Sequence, residues 1–600
     1  LLAQTGGDVA PMQAVESMQL EPEKAIERQL SGGQTHEYRL SLQAGQYARV
    51  RADQIGIALS ITCFGPDGKE RFAVDTTPIG DPEDAELIGD ASGIYRLRVM
   101  ASEPQAPSGR YEIALHDMEP ATERHRERVA AARAFAQGME SYQQGTRQAM
   151  LQALDHFSEA LAHWRAAEDR VEAAKALYTS GLTYIEIGNQ QEALEHSTEA
   201  LALAHAANDP RAEARALNAI GEVHNYFGDR RKAIGYYEQA LPLMRTSGDR
   251  AGEANALNNL AVAYAHTGEK PKALALFGQA EQIFRELHDR RMIAEVAGNL
   301  GVTYDNLGEY QAALESHQHN LALKRELGER GGQAIALNNI GMAYSGLDAY
   351  QKALDAYTAA LEINRSLDNR RSVAINLNNI AWVYDQLADY RRAITFYQES
   401  LEIVRALNDR HTIAVTLNNI AGIHTRLGNY DKALQVYTEA LSLRRAVGDI
   451  DGEANSLNHI GTALVRLGRR NEAREHFERA LAIQRTSPTP YMLAGTLRNL
   501  GALDRDNGNY LQALGHLNEA VEISRTIRDR DGEATALAEL ARVESARGNY
   551  ATAHERAESA LSAFESVRLA VTSPALRASF FASVRDIQEL DIEVLMRLHV

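Results

Sequence analysis

Apolar positions three and four apart run through most of this chain in blocks of constant length. In the block 331–370, Ala334, Leu337, Gly341 and Tyr344 share one face and Ala353, Tyr357, Ala360 and Ile363 share another, so two amphipathic helices are written back to back. The break between them is Ser345 to Ala349. Most other copies place a glycine there (Gly188, Gly228, Gly268, Gly308, Gly428, Gly468, Gly508, Gly548), the residue that most easily leaves a helix in a left-handed conformation. Ala334 returns every forty residues as Ala174, Ala214, Ala254, Ala294, Ala374, Ala414, Ala454, Ala494 and Ala534. Such a period predicts a solenoid of helix pairs that bury their apolar faces only by stacking. At the position of Gly341 every copy has Gly or Ala, as two closely approaching helix backbones require.

Nearer the N-terminus the period falls to two. Tyr38, Leu40 and Leu42 alternate with polar residues, as do Ile57, Leu59, Ile61 and Cys63, then Tyr95, Leu97 and Val99, then Tyr111, Ile113 and Leu115. Gly65-Pro66-Asp67-Gly68 is turn chemistry between such runs. The pattern predicts a small all-β sandwich over 31–120, after a lead-in (1–30) without sustained period whose Leu1-Leu2-Ala3 fits the end of a removed signal peptide. A degenerate first helical repeat follows over 121–170, then ten forty-residue repeats over 171–570, then a closing helix over 571–600. That last helix starts at Thr572-Ser573-Pro574 and carries the stripe Leu576, Phe580, Val584, Ile587, Leu590, Val594 and Leu598. Phe580 and Phe581 point about 100° apart on a helix, so one is expected against the last repeat and the other against a further, C-terminal domain.

The succession Ile340, Gly341, Tyr344, Ala353, Tyr357, Ala360 resembles the tetratricopeptide repeat, in phase from Val171 to Ala570. It departs in its period of forty rather than about 34. Leu337 stands for the early tryptophan, and Asp-Asn-Arg or Gly-Asp-Arg stands for the closing proline. The longer repeat with its LNNI or LNNL run is similar to the kinesin light chain subtype. The resemblance implies a mainly α fold, a right-handed tetratricopeptide superhelix preceded by the β-sandwich. The sandwich itself resembles the pre-peptidase C-terminal domain, a jelly-roll accessory module of bacterial proteins. The closing segment resembles the one that joins tetratricopeptide arrays to the CHAT domain, a caspase-like cysteine peptidase fold, which would lie beyond Val600.

The family pattern puts the first helix of each pair along a concave groove, at the positions of Ile335, Asn338, Met342, Ser345 and Gly346. The Asn338 position reads Tyr178, Asn218, Asn258, Gly298, Asn338, Asn378, Asn418, Asn458, Arg498 and Ala538, an asparagine ladder. Side-chain amides both donate and accept, which suits gripping a peptide backbone and equally suits bonding to the adjacent repeat. For the neighbouring row, Asn259, Asn299, Asn339, Asn379, Asn419 and Asn499, the second role is the expectation. Val262, Val302, Ile335, Met342, Ile375, Trp382 and Val415 make the middle of the groove apolar. Arg426, Arg466, Arg498, Arg505 and Arg542 make the later part basic, and Glu186, Glu222, Glu295 and Asp305 make the earlier part acidic. A gradient of that kind can orient an extended peptide, or its charges can pair locally.

Composition narrows the functions. A formal charge of −18 argues against a general nucleic-acid binder, and no run of about 18 apolar residues offers a membrane span. The single cysteine, Cys63, lies on the apolar side of its strand with no histidine near it in sequence, so a buried small hydrophobe is expected rather than a nucleophile. Asp75, Asp81, Glu83, Asp84 and Glu86 have no spacing that fits a calcium loop, and a solvated acidic loop is expected. With no metal-spaced histidines and no phosphate-binding glycine loop, no catalytic residue, metal or cofactor is assigned. The expected function is a scaffold for a protein or peptide ligand, an acidic one among the candidates, regulating a downstream CHAT peptidase. The alternatives are a purely structural spacer or assembly scaffold and, behind these, an enzyme complete within these residues.

Overall fold

The computed structural model describes residues 17–22, 24–102, 106, 108–486, 489–568 and 574–599, with side chains left out over 566–583. Phe580 and Phe581 therefore lie outside the described side chains. Two compact units are formed, one of 1–303 with 322–328 and the other of 304–321 with 329–600.

Among the described residues the first unit opens with nine strands, β1 (Ser17–Gln19), β2 (Ile26–Leu30), β3 (Thr35–Leu42), β4 (Gln46–Ile55), β5 (Leu59–Phe64), β6 (Glu70–Val74), β7 (Pro82–Ile88), β8 (Gly93–Ala101) and β9 (Gly109–Pro120). They make two sheets, ordered β1-β3-β8-β5-β6 and β2-β9-β4-β7. The alternating residues of both sheets share one core, in which Tyr38, Leu40, Val50, Ile61, Leu97 and Ile113 are buried. β1 and β2 fall within the stretch expected to be a lead-in. Both are short, and β2 alternates only weakly because the charged Arg28 takes an inward position between Ile26 and Leu30. Cys63 is buried, and burial pushes its thiol up to about 12.

Paired helices fill the rest of both units. The pair Arg370–Gln386 and Tyr390–Ala406 in the second unit shows why the sequence folds this way. The Asn369 side chain caps the first helix by accepting from the Ser372 amide, and Val373, Leu377, Ile380 and Val383 bury its apolar stripe. The helix closes at Leu387, Ala388 turns left-handed with φ 57°, and Asp389 caps the second helix by accepting from Arg392 N. Ala393, Tyr397, Leu401 and Val404 then bury the second stripe. Each large buried side chain contributes about 1.5–3 kcal/mol. A Cβ added at Gly341 would come 2.6 Å from the Tyr357 ring, so the small residue there answers a real approach of two helices.

From Glu168 to Gly548 a positive-φ residue returns every twenty positions, position 488 alone lying outside the described residues. The turn between pairs thus has the same left-handed joint as the turn within pairs. In the turns between pairs the joint is often not glycine, as at Asn208, His288, Asp368 and Arg528. Arg365, Arg405 and Arg485 reach Glu399, Glu439 and Glu519 thirty-four residues on, at 2.8, 2.9 and 3.2 Å. These exposed pairs contribute about 0–1 kcal/mol each.

Candidate functional site

On the helix Arg330–Gly346, Ala334, Ile340 and Ala343 are buried against neighbouring helices, while Ile335 and Met342 are 63% and 46% exposed on the opposite side. In the next repeat Ile375 is 41% exposed and Trp382 is half-buried, edge-on to Tyr350 at 6.4 Å between ring centroids. The second unit thus presents an apolar row along the positions expected to face the groove.

The asparagine ladder runs beside this row, and its amide oxygens are engaged. Asn338 Oδ1 accepts from Asn376 Nδ2 at 3.0 Å and from Asn379 Nδ2 at 2.9 Å. Asn378 accepts from Asn419 at 3.4 Å and Asn458 from Asn499 at 3.0 Å. In the first unit Asn258 accepts from Asn299 at 3.2 Å. Each bond joins one repeat to the next, so the two asparagine rows zip successive first helices together. Asn218 and Asn418 break the pattern, their oxygens buried without a partner: Asn259, the donor facing Asn218, bonds Glu222 instead, and the donor position facing Asn418 holds His459. That ring stacks on Tyr437 at 5.3 Å, and burial, with Arg444 and Arg426 nearby, lowers its pKa to about 4.

The expected basic stretch is largely paired. Arg426 meets Asp385 at 3.0 Å, Arg505 pairs with Asp506 and Glu539, and Arg542 pairs with Glu539. Arg466 is exposed and Arg498 half-buried, and neither makes an ion pair among the described residues. In the acidic stretch Asn218 Nδ2 donates to Glu222 Oε1 at 2.7 Å, Lys324 Nζ reaches Glu295 at 2.7 Å, and Asp305 holds the buried His317 at 2.9 Å.

Sequence reasoning missed that, within the first unit, the β-rich region lies against the first helices of the first two repeats. Arg215 holds Asp81 of the strand-joining loop at 2.7 Å and Asp249 at 2.7 Å, and Arg211 contacts both carboxylates. Burial works to raise the pKa of Asp249, but Arg215 and Arg211 outweigh it and leave the carboxyl below its usual range. Lys175, Tyr178 and Arg215, three groove positions of the first two repeats, line a cavity of about 180 Å³ together with Asp81, Asp84 and Glu86. The acidic run is therefore not a solvated loop. Asp84 pairs with Arg49 and Arg51, Glu86 with Arg128 of the first helix, and the fully buried Glu83 accepts from the amides and hydroxyls of Thr76 and Thr77. The signal in the sequence was the pair Arg211 and Arg215, where other copies carry residues such as Gly331 and Ile335. Among the described residues no group of three or more His, Cys, Asp or Glu could hold a metal, and no helix is long and apolar enough to cross a membrane.

Helix pairs of this length, joined by three-residue turns and zipped face to face, define a helical-repeat protein. The tetratricopeptide repeat model matches residues 212–286, 292–366, 332–406, 412–486 and 492–566, more than half of the chain, and the chain belongs to that family. A second model, anaphase-promoting complex subunit 5, matches residues 138–222. Solved structures with similar folds include aspartyl phosphate phosphatase F from Bacillus subtilis (13% identity, 58% of this chain and 94% of that one, TM-score 0.42). Another is the apo quorum sensor NprR from B. thuringiensis (15%, 58% and 97%, 0.42). A third is a Rap protein in complex with competence and sporulation factor (20%, 47% and 76%, 0.38). No curated protein matches the sequence.

Proposed function

We propose that the chain is a protein-interaction scaffold that holds an extended polypeptide along the exposed faces of its first helices. The observation that carries this is the row Ile335, Met342 and Ile375, large apolar side chains left in solvent on successive repeats, where a packed array would otherwise place polar ones. An extended chain laid on that row would find apolar contacts from these residues and polar ones from the flanking amides. Arg466 and Arg498, without ion pairs, favour acidic side chains in the part of the ligand that reaches them. The finer reading, regulation of a caspase-like cysteine peptidase in the same polypeptide, rests on the resemblance of the 571–600 segment.

A second reading, a spacer without ligand, draws support from the asparagine rows, whose acceptors are used between repeats. Peptides selected from a random display library on the full chain separate the two. Replacing Ile335, Met342 and Ile375 by Ser is expected to weaken the selected peptides at least ten-fold without lowering the melting temperature. A library that yields no specific peptide would overturn the scaffold reading in favour of the spacer, and peptides that bind the triple variant as tightly as the parent would overturn the apolar row as their site.

A further inference from the structure

The first unit holds, on its own first helices, a second kind of surface made of oxygen acceptors with no cation to meet them. Glu222 lies on the helix Pro210–Tyr226, and both Asn218 of its own helix and Asn259 of the next repeat donate to the same carboxylate oxygen, Oε1, at 2.7 and 2.9 Å. Neither bond uses Oε2. The oxygens of Asn218 and Asn225 are buried and have no hydrogen-bond partner. Beneath them Tyr237 packs against Gly221, fully buried, its hydroxyl also without a partner and close enough to feel the Glu222 charge. Glu186 of the preceding repeat adds a second carboxylate, exposed, and the phenol of Tyr142 feels both. Among the described residues neither Glu186 nor Glu222 makes an ion pair.

Unsatisfied buried acceptors cost about 1–3 kcal/mol each, more when charged. A neutral amide or hydroxyl would fill one of them and leave the negative charge in place. A protonated amine brings N–H donors together with the opposite charge. Resting on the groove reading above, we propose that the surface around Glu222 is a subsite for a protonated amine or guanidinium carried by the bound polypeptide, a lysine or arginine side chain or a free amino terminus. Glu222 receives the charge, Glu186 supplements it, and the amides of Asn218 and Asn259 hold the carboxylate in position.

The surroundings give the subsite a pH dependence. Burial lifts the Glu222 carboxyl to about 7, opposed by the Asn218 and Asn259 amides and assisted by Glu186. The titratable groups that face it are Glu186, Tyr142 and Tyr237, of which neither phenol ionises near neutrality. A cation competes with the proton, so its affinity should rise between pH 6 and pH 8, while a lysine or arginine stays charged throughout.

The test uses acetylated, amidated twelve-residue peptides of Ala and Ser with lysine at every third position, and norleucine counterparts, titrated calorimetrically into the full chain. The lysine peptide is expected to bind about ten-fold tighter at pH 8 than at pH 6, following ionisation of a group near pH 7. With Glu222→Gln, which preserves shape and acceptor, that gain should disappear and affinity at pH 8 should fall about ten-fold, with the melting temperature not lowered. A norleucine peptide with a free amino terminus separates the two sources of the amine. Equal binding by the Glu222→Gln variant, or by acetylated norleucine and lysine peptides with no gain from a free terminus, overturns the subsite. Loss of lysine-peptide binding on replacing Ile335 and Met342 by Ser but not on Glu222→Gln would sink the subsite and leave the scaffold standing. Indifference to both sets sinks both.

Discussion

Asp81 and Arg215 meet at 2.7 Å although 134 positions separate them, and through Arg215 the β-rich region is tied to Asp249, the capping residue of the following repeat. Removing one member of a buried charge pair costs about 3–5 kcal/mol because the other is left uncompensated. Asp81→Ala should therefore loosen the contact between strands and helices. Hydrogen exchange is expected to rise over 76–84 and 209–215 and to stay unchanged over 430–446, since repeat stability is built from nearest neighbours. Protection unchanged at 209–215 would show that the contact contributes little.

The asparagine rows separate by partner. Asn338→Ala strips the acceptor from Asn376, which is buried, and from Asn379, and should cost about 1–3 kcal/mol, read as faster exchange in 330–346 and 370–386. Asn418→Ala removes an oxygen that has no partner, and its effect should be several-fold smaller. Equal losses would contradict the zipper.

Glu222 also makes stability depend on pH, in a direction set by its raised pKa. The folded carboxyl titrates near 7 and the unfolded one near 4.5, so folding is unpenalised below about pH 4.5 and loses stability as pH climbs towards 7, with the full loss above it. Glu222→Gln should thus raise the melting temperature at pH 8 and leave it unchanged at pH 4. A gain at both values would point to packing instead.

At the C-terminal end, His554 Nδ1 and Asp591 Oδ1 lie 2.6 Å apart, joining the helix Tyr550–Arg568 to the helix Pro574–Leu598, on which Ile587 and Val594 are buried. The Asp591 hydrogen bond raises the histidine pKa. The contribution is present below about pH 6.5 and is lost as pH rises through the raised value. The pair is partly exposed, so it should stay under about 1 kcal/mol. Exchange over 584–598 is expected to quicken from pH 5.5 to pH 8 beyond the intrinsic rate, and Asp591→Asn should abolish the difference.

Ala388 holds a left-handed conformation that costs an L-residue about 1–2 kcal/mol, where Gly428 and Gly468 fill the equivalent turns. Ala388→Gly should stabilise the second unit by up to about 1 kcal/mol, after the added freedom of the unfolded glycine is subtracted. A lower denaturation midpoint would mean that the Ala388 methyl group makes contacts worth more than the strain.

The helix pairs were legible because one apolar pattern returns ten times, so a weak local signal at any one copy is corrected by the others. The positions expected to line a groove could be numbered for the same reason, and of these Ile335, Met342 and Ile375 are exposed. What no periodicity could supply were contacts made once. Asp81 finds Arg215 only after the β-rich region has been placed, and β2 escaped notice because Arg28 interrupts its short alternation. The pairing of Arg426 with Asp385 depends on side-chain reach across a repeat, which residue type alone leaves open. The asparagine rows were visible, but which atoms they bond was a matter of geometry.

The left-handed joint that returns every twenty residues also bears on how such a chain changes over generations. Ala388 precedes Asp389 as Gly428 precedes Asn429, so a recombination that drops 389–428 would rejoin the chain at an identical turn and in the same phase. Loss of half a block would keep the turn yet set a second helix where a first is needed, bringing bulky side chains such as Leu361 or Leu401 to places shaped for Gly341 or Ala381. Whole-block exchange between gene copies is thus tolerated by the fold while half-block exchange is not. The number of repeats becomes a trait that selection can adjust directly, lengthening or shortening the row of first helices without inventing a new joint.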